Sequence, residues 1–291
     1  MTKDNFWSLI NKRAFFPPAI LLTIGVIIGA AYPTEFGAAS GVALSWITEK
    51  CGWIFTLGSV ILFVFCMWAA FSKYGRIKLG GPNAKPIMNM FQWFAVAFTA
   101  CMAIGIIYFC VAEPLMFFKD PPTFLEMEGG TPEAATVAMR YAYHHWAFVP
   151  FAIYTSAGIA IAFLFHNCGQ PFRVSSSLVP LIGKKATGNV GSWVDALCTF
   201  SMVGGISTSL GIGTLQITGG LEYLFGINSG MATITTIIVI MGATYTFVAT
   251  TGIHKGIKHL GTFNMYLYFV LLLFVLFAGP TRGIIEIWVF P

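Results

Sequence analysis

Three aromatic side chains near the middle of the sequence have the chemistry and spacing to hold a methylated cation. Trp146, Phe151 and Tyr154 share one apolar segment, and on a helix turning roughly 100° per residue they stand at about 0°, 140° and 80°. Such an arc can attract a quaternary ammonium through cation–π interactions. It is also typical of an interfacial aromatic belt or of plain helix packing, and the residues alone leave these alternatives open.

A run of small residues at 100–105 (ACMAIG) is the second candidate region. Small side chains let helices pack closely or let a helix unwind, and ordinary close packing remains the alternative. The run leads to Glu113, which is followed by Pro114. We expect the proline to end the helix and Glu113 to be an interfacial capping carboxylate rather than a proton site.

Glycines and hydroxyl side chains alternate at 204–213 (GGISTSLGIG). An unwound helix at this place would expose backbone carbonyls to an ion. Close helix crossing through glycine is the alternative, and the sequence does not separate the two.

Several chemistries are excluded by what the sequence lacks. His144 and His145 are adjacent, and the chain has no HxxxH or HExxH pair, no phosphate-binding loop and no GxSxG elbow, which argues against catalytic zinc and against enzymatic activity. None of the six cysteines forms a CxxC pair, so we interpret them as inert thiols. We expect no cofactor, no metal and no nucleic-acid partner.

Composition identifies the elements that must position these residues. Charged residues make up 9% of the chain and mean hydropathy is +0.78, whereas soluble domains carry about 25% charge. We therefore predict an all-α membrane protein in which seven segments approach the length of about 20 apolar residues needed to cross a bilayer. The predicted spans are 16–32, 53–72, 91–109, 146–165, 194–217, 231–251 and 263–278.

The distribution of lysine and arginine predicts the orientation of these spans. Of the 16 basic residues, 12 fall on the side that includes the N-terminus, which the positive-inside rule places in the cytoplasm. We predict that 34–51 lies along the outer interface, that 119–131 is an outer loop, and that Pro132 opens a helix towards His145. No internal repeat of 20–50 residues and no linker is visible, so 1–291 is interpreted as a single membrane domain.

Six motifs in this order give the chain a resemblance to the betaine/carnitine/choline transporter (BCCT) family, and the likeness covers nearly the whole sequence. Any one of them is weak, but their order and topology together are specific. The motifs are GRIKLG at 75–80, GIIYFCVAEPL at 105–115, HWAFVPFAIY at 145–154, RVSSSLVPL at 173–181, SLGIGTLQITGGL at 209–221 and GIHKGIK at 252–258.

The resemblance implies an architecture and a function. Family members are expected to carry two leading spans and then two inverted five-helix repeats of the LeuT kind; this chain would hold the leading spans (16–72) and the first repeat (91–278), with the second repeat missing. The implied function is secondary transport of a quaternary ammonium or related zwitterion such as betaine, carnitine or choline. The implied setting is the bacterial inner membrane, with the lipid bilayer around the protein and a homotrimeric assembly.

The resemblance also implies site residues. Trp146 and Tyr154 match aromatic-box positions, and Phe151 stands where many members have tryptophan. The substrate path would be lined by backbone at Cys101, Met102, Ala103 and Gly105, where CMAIG replaces the family's GMGIG.

The resemblance to the BCCT family leaves the coupling ion open. Met202 and Ile206 occupy positions where sodium-driven members carry hydroxyls, and neither side chain can ligate sodium. Ser207 and Thr208 are the substitute sodium ligands if the helix rotates or unwinds. Coupling to Na+, coupling to H+ and sodium-independent exchange therefore all remain as alternatives. Two other functions also remain: a seven-span solute-binding receptor or sensor, and an inactive fragment that lacks its second repeat.

Overall fold

The structure is a computed structural model that describes residues 10–101, 104–251 and 256–289. Within these ranges every regular element is helical and no strand is present. Short 3-10 turns at Lys73–Arg76, Thr123–Leu125, Val174–Leu178 and Gly183–Thr187 join the longer elements. The α-helices are α1 (Lys12–Ala31), α2 (Pro33–Phe71), α3 (Met90–Cys101), α4 (Ile104–Lys119), α5 (Pro132–Trp146), α6 (Phe148–Cys168), α7 (Val179–Ile182), α8 (Asn189–Phe225), α9 (Met231–Thr251), α10 (Lys258–Ala278) and α11 (Thr281–Val289).

Six helical segments in the described ranges are long and apolar enough to cross a membrane. They are α1, α2, the segment Pro132–Cys168 that contains α5 and α6, α8, α9 and α10. The remaining predicted span, 91–109, is described as α3 up to Cys101 and as α4 from Ile104, with 102–103 outside the described residues. The all-helical membrane fold is therefore confirmed, and the count of seven spans stays a prediction.

Helix α1 begins earlier than its apolar segment. The side chain of Asn11 accepts a hydrogen bond from the amide of Ala14 at 3.4 Å and caps the helix start at Lys12, as short polar side chains commonly do. Pro17 and Pro18 consequently lie inside the helix. The predicted span starts at 16, four residues after the helix does, because apolar length marks where lipid begins whereas the cap decides where the helix begins.

Helix α2 runs without interruption through the segment that we assigned to the outer interface. It begins with Pro33 at its first turn and continues for 39 residues to Phe71, a length of about 58 Å at 1.5 Å per residue. One helix therefore covers both 34–51 and the second predicted span, and the interfacial position of 34–51 and the start of the span at 53 stay predictions. No proline follows Pro33 before residue 72, so nothing in the sequence stops the helix.

The burial pattern suits a bilayer. Large apolar side chains such as Val26, Phe71 and Phe274 are exposed. The buried positions are mostly small, such as Ala95 and Ser175, and small side chains are what closely packed membrane helices use.

The chain divides into two compact units. The first comprises Met1–Ala84 and Phe148–Ile206, and the second comprises Lys85–Ala147 and Ser207–Pro291. The division falls within α8, between Ile206 and Ser207.

In the first unit α6 packs on α2. The thiol of Cys66 donates to the carbonyl oxygen of Ala152 at 3.5 Å, and the rings of Phe63 and Phe148 lie 5.7 Å apart. At the end of α6 the Asn167 side chain accepts from the amide of Gly80 and donates to the carbonyl of Lys78.

The same unit contains a polar cluster before and within the start of α8. The Asp195 carboxylate accepts hydrogen bonds from the amide and the hydroxyl of Ser175, both at 2.9 Å. The Arg173 guanidinium lies 3.8 Å from that carboxylate and donates to the carbonyl of Thr187. Ser175 is fully buried, so this cluster fixes the loop against the helix.

In the second unit α3 packs on α10 and α4 packs on α5. Thr99 donates to the carbonyl of Gly261 at 3.3 Å, and the rings of Phe98 and Tyr268 meet edge to face at 5.0 Å. The cavity described below lies between α4 and α5.

Candidate functional site

A cavity of about 600 Å3 lies between α4 and α5, within the second unit. Its volume falls in the range of small-molecule sites, and its wall combines aromatic rings with a few polar groups, as such sites usually do. The lining residues are Gly105, Phe109, Glu113, Met116, Phe117, Asp120, His145 and Trp146.

The α4 wall is a stripe with four-residue spacing. Gly105, Phe109, Glu113 and Phe117 follow one another at intervals of four, and residues so spaced lie on one face of a helix. The sequence analysis used 105–115 only as a family motif and missed this periodicity, which would have revealed the wall.

Trp146 closes the cavity from α5 and contacts this stripe at successive turns. Its ring is nearly parallel to that of Phe109, with 6.3 Å between centroids and 19° between planes. A β-carbon at Gly105 would lie 3.7 Å from Trp146 Cη2, so the ring passes close to backbone there. The indole N–H donates to Glu113 Oε2 at 2.5 Å.

Glu113 uses both carboxylate oxygens within the cavity. While Oε2 receives the Trp146 indole, Oε1 pairs with Nδ1 of His145. The Glu113 side chain is 13% exposed and that of His145 is 41% exposed. The His145 ring also packs near Phe117 and Tyr141, at 6.0 and 5.8 Å.

These contacts correct two expectations about α4. The helix continues through Pro114 to Lys119, so the proline does not end it. Glu113 is not a capping group, because its partners are side chains on α5. The interpretation of the histidines also missed the pair between His145 and Glu113, since the two residues are 32 positions apart.

The local sequence explains where α5 begins and ends. Pro132 occupies the first turn, as predicted. Thr131 caps the helix by accepting from the amide of Ala134 at 3.2 Å. The helix ends at Trp146, because Ala147 adopts φ −86° and ψ −100°.

A one-residue break at Ala147 interrupts the segment that carries the predicted aromatic arc. Trp146 ends α5, whereas Phe151 and Tyr154 belong to α6, and their shared role in binding stays a prediction. Trp146 lies in the second compact unit and the other two lie in the first. Phe151 is half-buried and Tyr154 is 59% exposed.

The structure describes only part of the small-residue run at 100–105 but all of the glycine run at 204–213. Cys101 ends α3 and Gly105 lies in the first turn of α4, while Met102 and Ala103 are outside the described residues. In contrast, 204–213 lies within the continuous helix α8. Of the two alternatives left open for this run, unwinding is not observed, and Ser207 and Thr208 occupy ordinary helical positions.

Comparison with known proteins identifies the family to which the chain belongs. The sequence profile described as "BCCT, betaine/carnitine/choline family transporter" matches residues 13–290. The chain belongs to the BCCT family. It is accordingly a multi-pass membrane protein of a transporter family, as the resemblance implied.

Curated BCCT relatives carry several substrate names. The chain is 38% identical over 270 residues to the glycine betaine transporter OpuD of Bacillus subtilis, a match covering 93% of this chain and 52% of that protein. It is 35% identical to the ectoine/hydroxyectoine transporter of Virgibacillus pantothenticus, covering 97% and 56%. The high-affinity choline transport protein of Escherichia coli is 32% identical, covering 95% and 40%. The chain thus spans about half the length of these BCCT relatives.

Proposed function

We propose that this chain contributes to a secondary transporter that moves a quaternary ammonium or related zwitterion across the bacterial inner membrane by alternating access. Membership of the BCCT family supports this proposal, as do relatives named for glycine betaine, ectoine and choline. The substrate range proposed here includes betaine, carnitine and choline.

The cavity between α4 and α5 is the observation that carries the proposal. Phe109, Phe117 and Trp146 give it aromatic walls, and Glu113 contributes a carboxylate. A methylated ammonium cannot donate strong hydrogen bonds, so it is best received by π faces, each worth about 2 kcal/mol when desolvated. Phe151 and Tyr154 remain proposed substrate-binding residues on the grounds of family resemblance.

The proposed architecture has seven spans, with α3 and α4 together forming the third. The structure describes α3 up to Cys101 and α4 from Ile104, and together they have the apolar length of one span. We propose that the seven spans correspond to two leading helices and the first repeat of a LeuT-like fold. The N-terminus is proposed to be cytoplasmic, and the assembly to be a homotrimer.

We also propose that transport is coupled to an ion, either Na+ or H+. Ser207 and Thr208 are the proposed hydroxyl ligands for Na+, but they lie within an unbroken helix. Uptake measured separately under an imposed Na+ gradient and an imposed proton gradient decides between the two.

The decisive experiment is uptake by the complete gene product in a bacterial strain that lacks other betaine and choline carriers. We expect saturable accumulation of at least one labelled compound among glycine betaine, choline, carnitine and ectoine. Failure of all four, with folded protein present in the membrane, would exclude the substrate class. Binding without counterflow in liposomes would instead identify a receptor or sensor.

A substitution in the cavity then tests the site. We expect Trp146→Leu to raise KM about 30-fold, because about 2 kcal/mol of cation–π attraction is lost. Trp193→Leu is the matched control: Trp193 is 60% exposed on α8 and does not line the cavity. An equal effect of both substitutions would contradict the placement of the site.

A further inference from the structure

The Trp146 side chain needs a fixed orientation if its ring is to receive a cation. A cation binds over the ring face, near the ring axis, so rotation of the indole about its side-chain bonds removes the binding surface. Stacking against Phe109 restricts this rotation only in part, because a stacked pair can slide at small cost.

The hydrogen bond to Glu113 supplies the missing restraint. The indole has a single donor, and that donor points to Glu113 Oε2 at 2.5 Å. Bonds to a charged acceptor are shorter and roughly twice as strong as neutral ones. Because Glu113 and Phe109 are one turn apart on the same face of α4, the two contacts together define the plane and the direction of the ring.

The other oxygen of Glu113 is also held. Oε1 pairs with His145 Nδ1, and His145 directly precedes Trp146 in α5. The carboxylate is therefore fastened between two adjacent side chains rather than free to rotate towards a ligand. A group so engaged acts on the ring and has little capacity left for a direct bond to substrate.

A carboxylate at the indole N–H also affects the electronic character of the ring. In a low-dielectric site hydrogen bonds polarise the groups that they join. A negative acceptor pushes electron density towards the indole, which makes its face more attractive to a cation. Orientation and polarisation both favour the methylated ammonium over a neutral solute of the same shape.

We propose that Glu113 is a positioning residue that orients and polarises the Trp146 ring for a methylated ammonium, without contacting the substrate itself. This inference rests on the proposed transport function. It adds to that function a residue outside the aromatic set and a reason for preferring a cation.

Two substitutions at Glu113 separate hydrogen bonding from side-chain volume. In Glu113→Leu the indole loses its acceptor, and we expect KM for the transported compound to rise about tenfold. In Glu113→Gln a neutral acceptor remains, and we expect much of the affinity to be restored. Glu133→Gln is the matched control, since Glu133 is an exposed carboxylate in the first turn of α5 and should leave KM unchanged.

A double variant distinguishes positioning of Trp146 from a general structural role. Trp146→Phe removes the indole N–H, so Glu113→Leu should add little to KM in that background. Additive effects in the double variant would overturn the proposal. So would a Glu113→Leu protein with wild-type KM, or one in which only the maximal rate falls.

A spectroscopic readout keeps the test independent of transport. The complete gene product labelled with 5-fluorotryptophan gives a 19F resonance for Trp146, which is assigned by its absence in Trp146→Phe. We expect Glu113→Leu to move this resonance and Glu133→Gln to leave it in place. An unmoved resonance would refute the positioning role. A wild-type protein that transports none of the four compounds would refute the proposed function instead.

Discussion

At the scale of single residues, Asp195 makes the most concentrated set of polar contacts in the described part of the first unit. Its carboxylate accepts two hydrogen bonds from Ser175 at 2.9 Å and lies 3.8 Å from the Arg173 guanidinium. The Asp195 side chain is 13% exposed and that of Arg173 is 27% exposed. Loss of either partner leaves the other charge poorly solvated.

We therefore expect Asp195→Ala to destabilise the protein by about 3 kcal/mol, the lower end of the cost of breaking a buried ion pair. Asp195→Asn should cost less, because its amide oxygen can still accept from the Ser175 amide. The measurement is the thermal unfolding midpoint in detergent, compared for the two variants and the wild type.

An exposed ion pair provides the control for this prediction. Arg282 and Glu286 lie 2.7 Å apart on α11, but their side chains are 92% and 57% exposed. Water screens such a pair, so Glu286→Ala should change stability by no more than about 0.5 kcal/mol. Equal shifts for Asp195→Ala and Glu286→Ala would show that burial of the Asp195 cluster has no energetic consequence.

At the scale of elements, the start of α8 depends on a glycine. A β-carbon on Gly191 would overlap the carbonyl oxygen of Ala186 and lie 2.6 Å from its carbonyl carbon. It would also lie 3.2 Å from the β-carbon of Ser175. These atoms are backbone or buried, so they cannot move aside cheaply.

We predict that Gly191→Ala strongly reduces the yield of folded protein or lowers its unfolding midpoint. Gly219→Ala, on the same helix, has nothing within 4 Å of the added carbon and should be neutral or slightly stabilising, since alanine favours helix more than glycine does. Size-exclusion profiles in detergent would compare the two. A monodisperse and equally stable Gly191→Ala protein would contradict the packing described here.

The elements also show where sequence reasoning succeeds and where it fails. Apolar length located most spans, and Pro132 located the start of α5, because both signals are local. The break at Ala147 has a local signal in Pro150, which has no N–H to donate to the Trp146 carbonyl four residues earlier and whose ring crowds that carbonyl. A helix can also continue through a proline with a kink, so the sequence did not decide whether the aromatic arc is continuous.

The candidate site likewise has one feature that the sequence shows and one that it does not. The stripe on α4 was available in the four-residue spacing of Gly105, Phe109, Glu113 and Phe117. The pairing of Glu113 with His145 and Trp146 was not available, because it joins positions more than 30 residues apart. A single sequence contains periodicity but does not state which helix faces which.

At the scale of the whole molecule, the number of membrane crossings depends on α3 and α4. The structure describes 12 residues of α3 and 16 of α4, on either side of 102–103, and a span needs roughly 20 residues. Together they connect a basic segment, which includes Lys73, Arg76 and Lys78, to the segment 120–131, which contains no lysine or arginine. That contrast in charge predicts that the two segments lie on opposite sides of the bilayer.

Labelling of introduced cysteines decides this question. In a variant whose native cysteines are replaced by alanine, Thr123→Cys should react with an impermeant maleimide in intact cells. Lys78→Cys should react only after the membrane is permeabilised. Both positions are exposed in the structure, so neither should be shielded by the protein itself. Labelling of both positions from the same side would mean that α3 and α4 together do not cross the bilayer. The count of seven spans would then be wrong, because the apolar segment 91–109 would enter and leave the bilayer by one face.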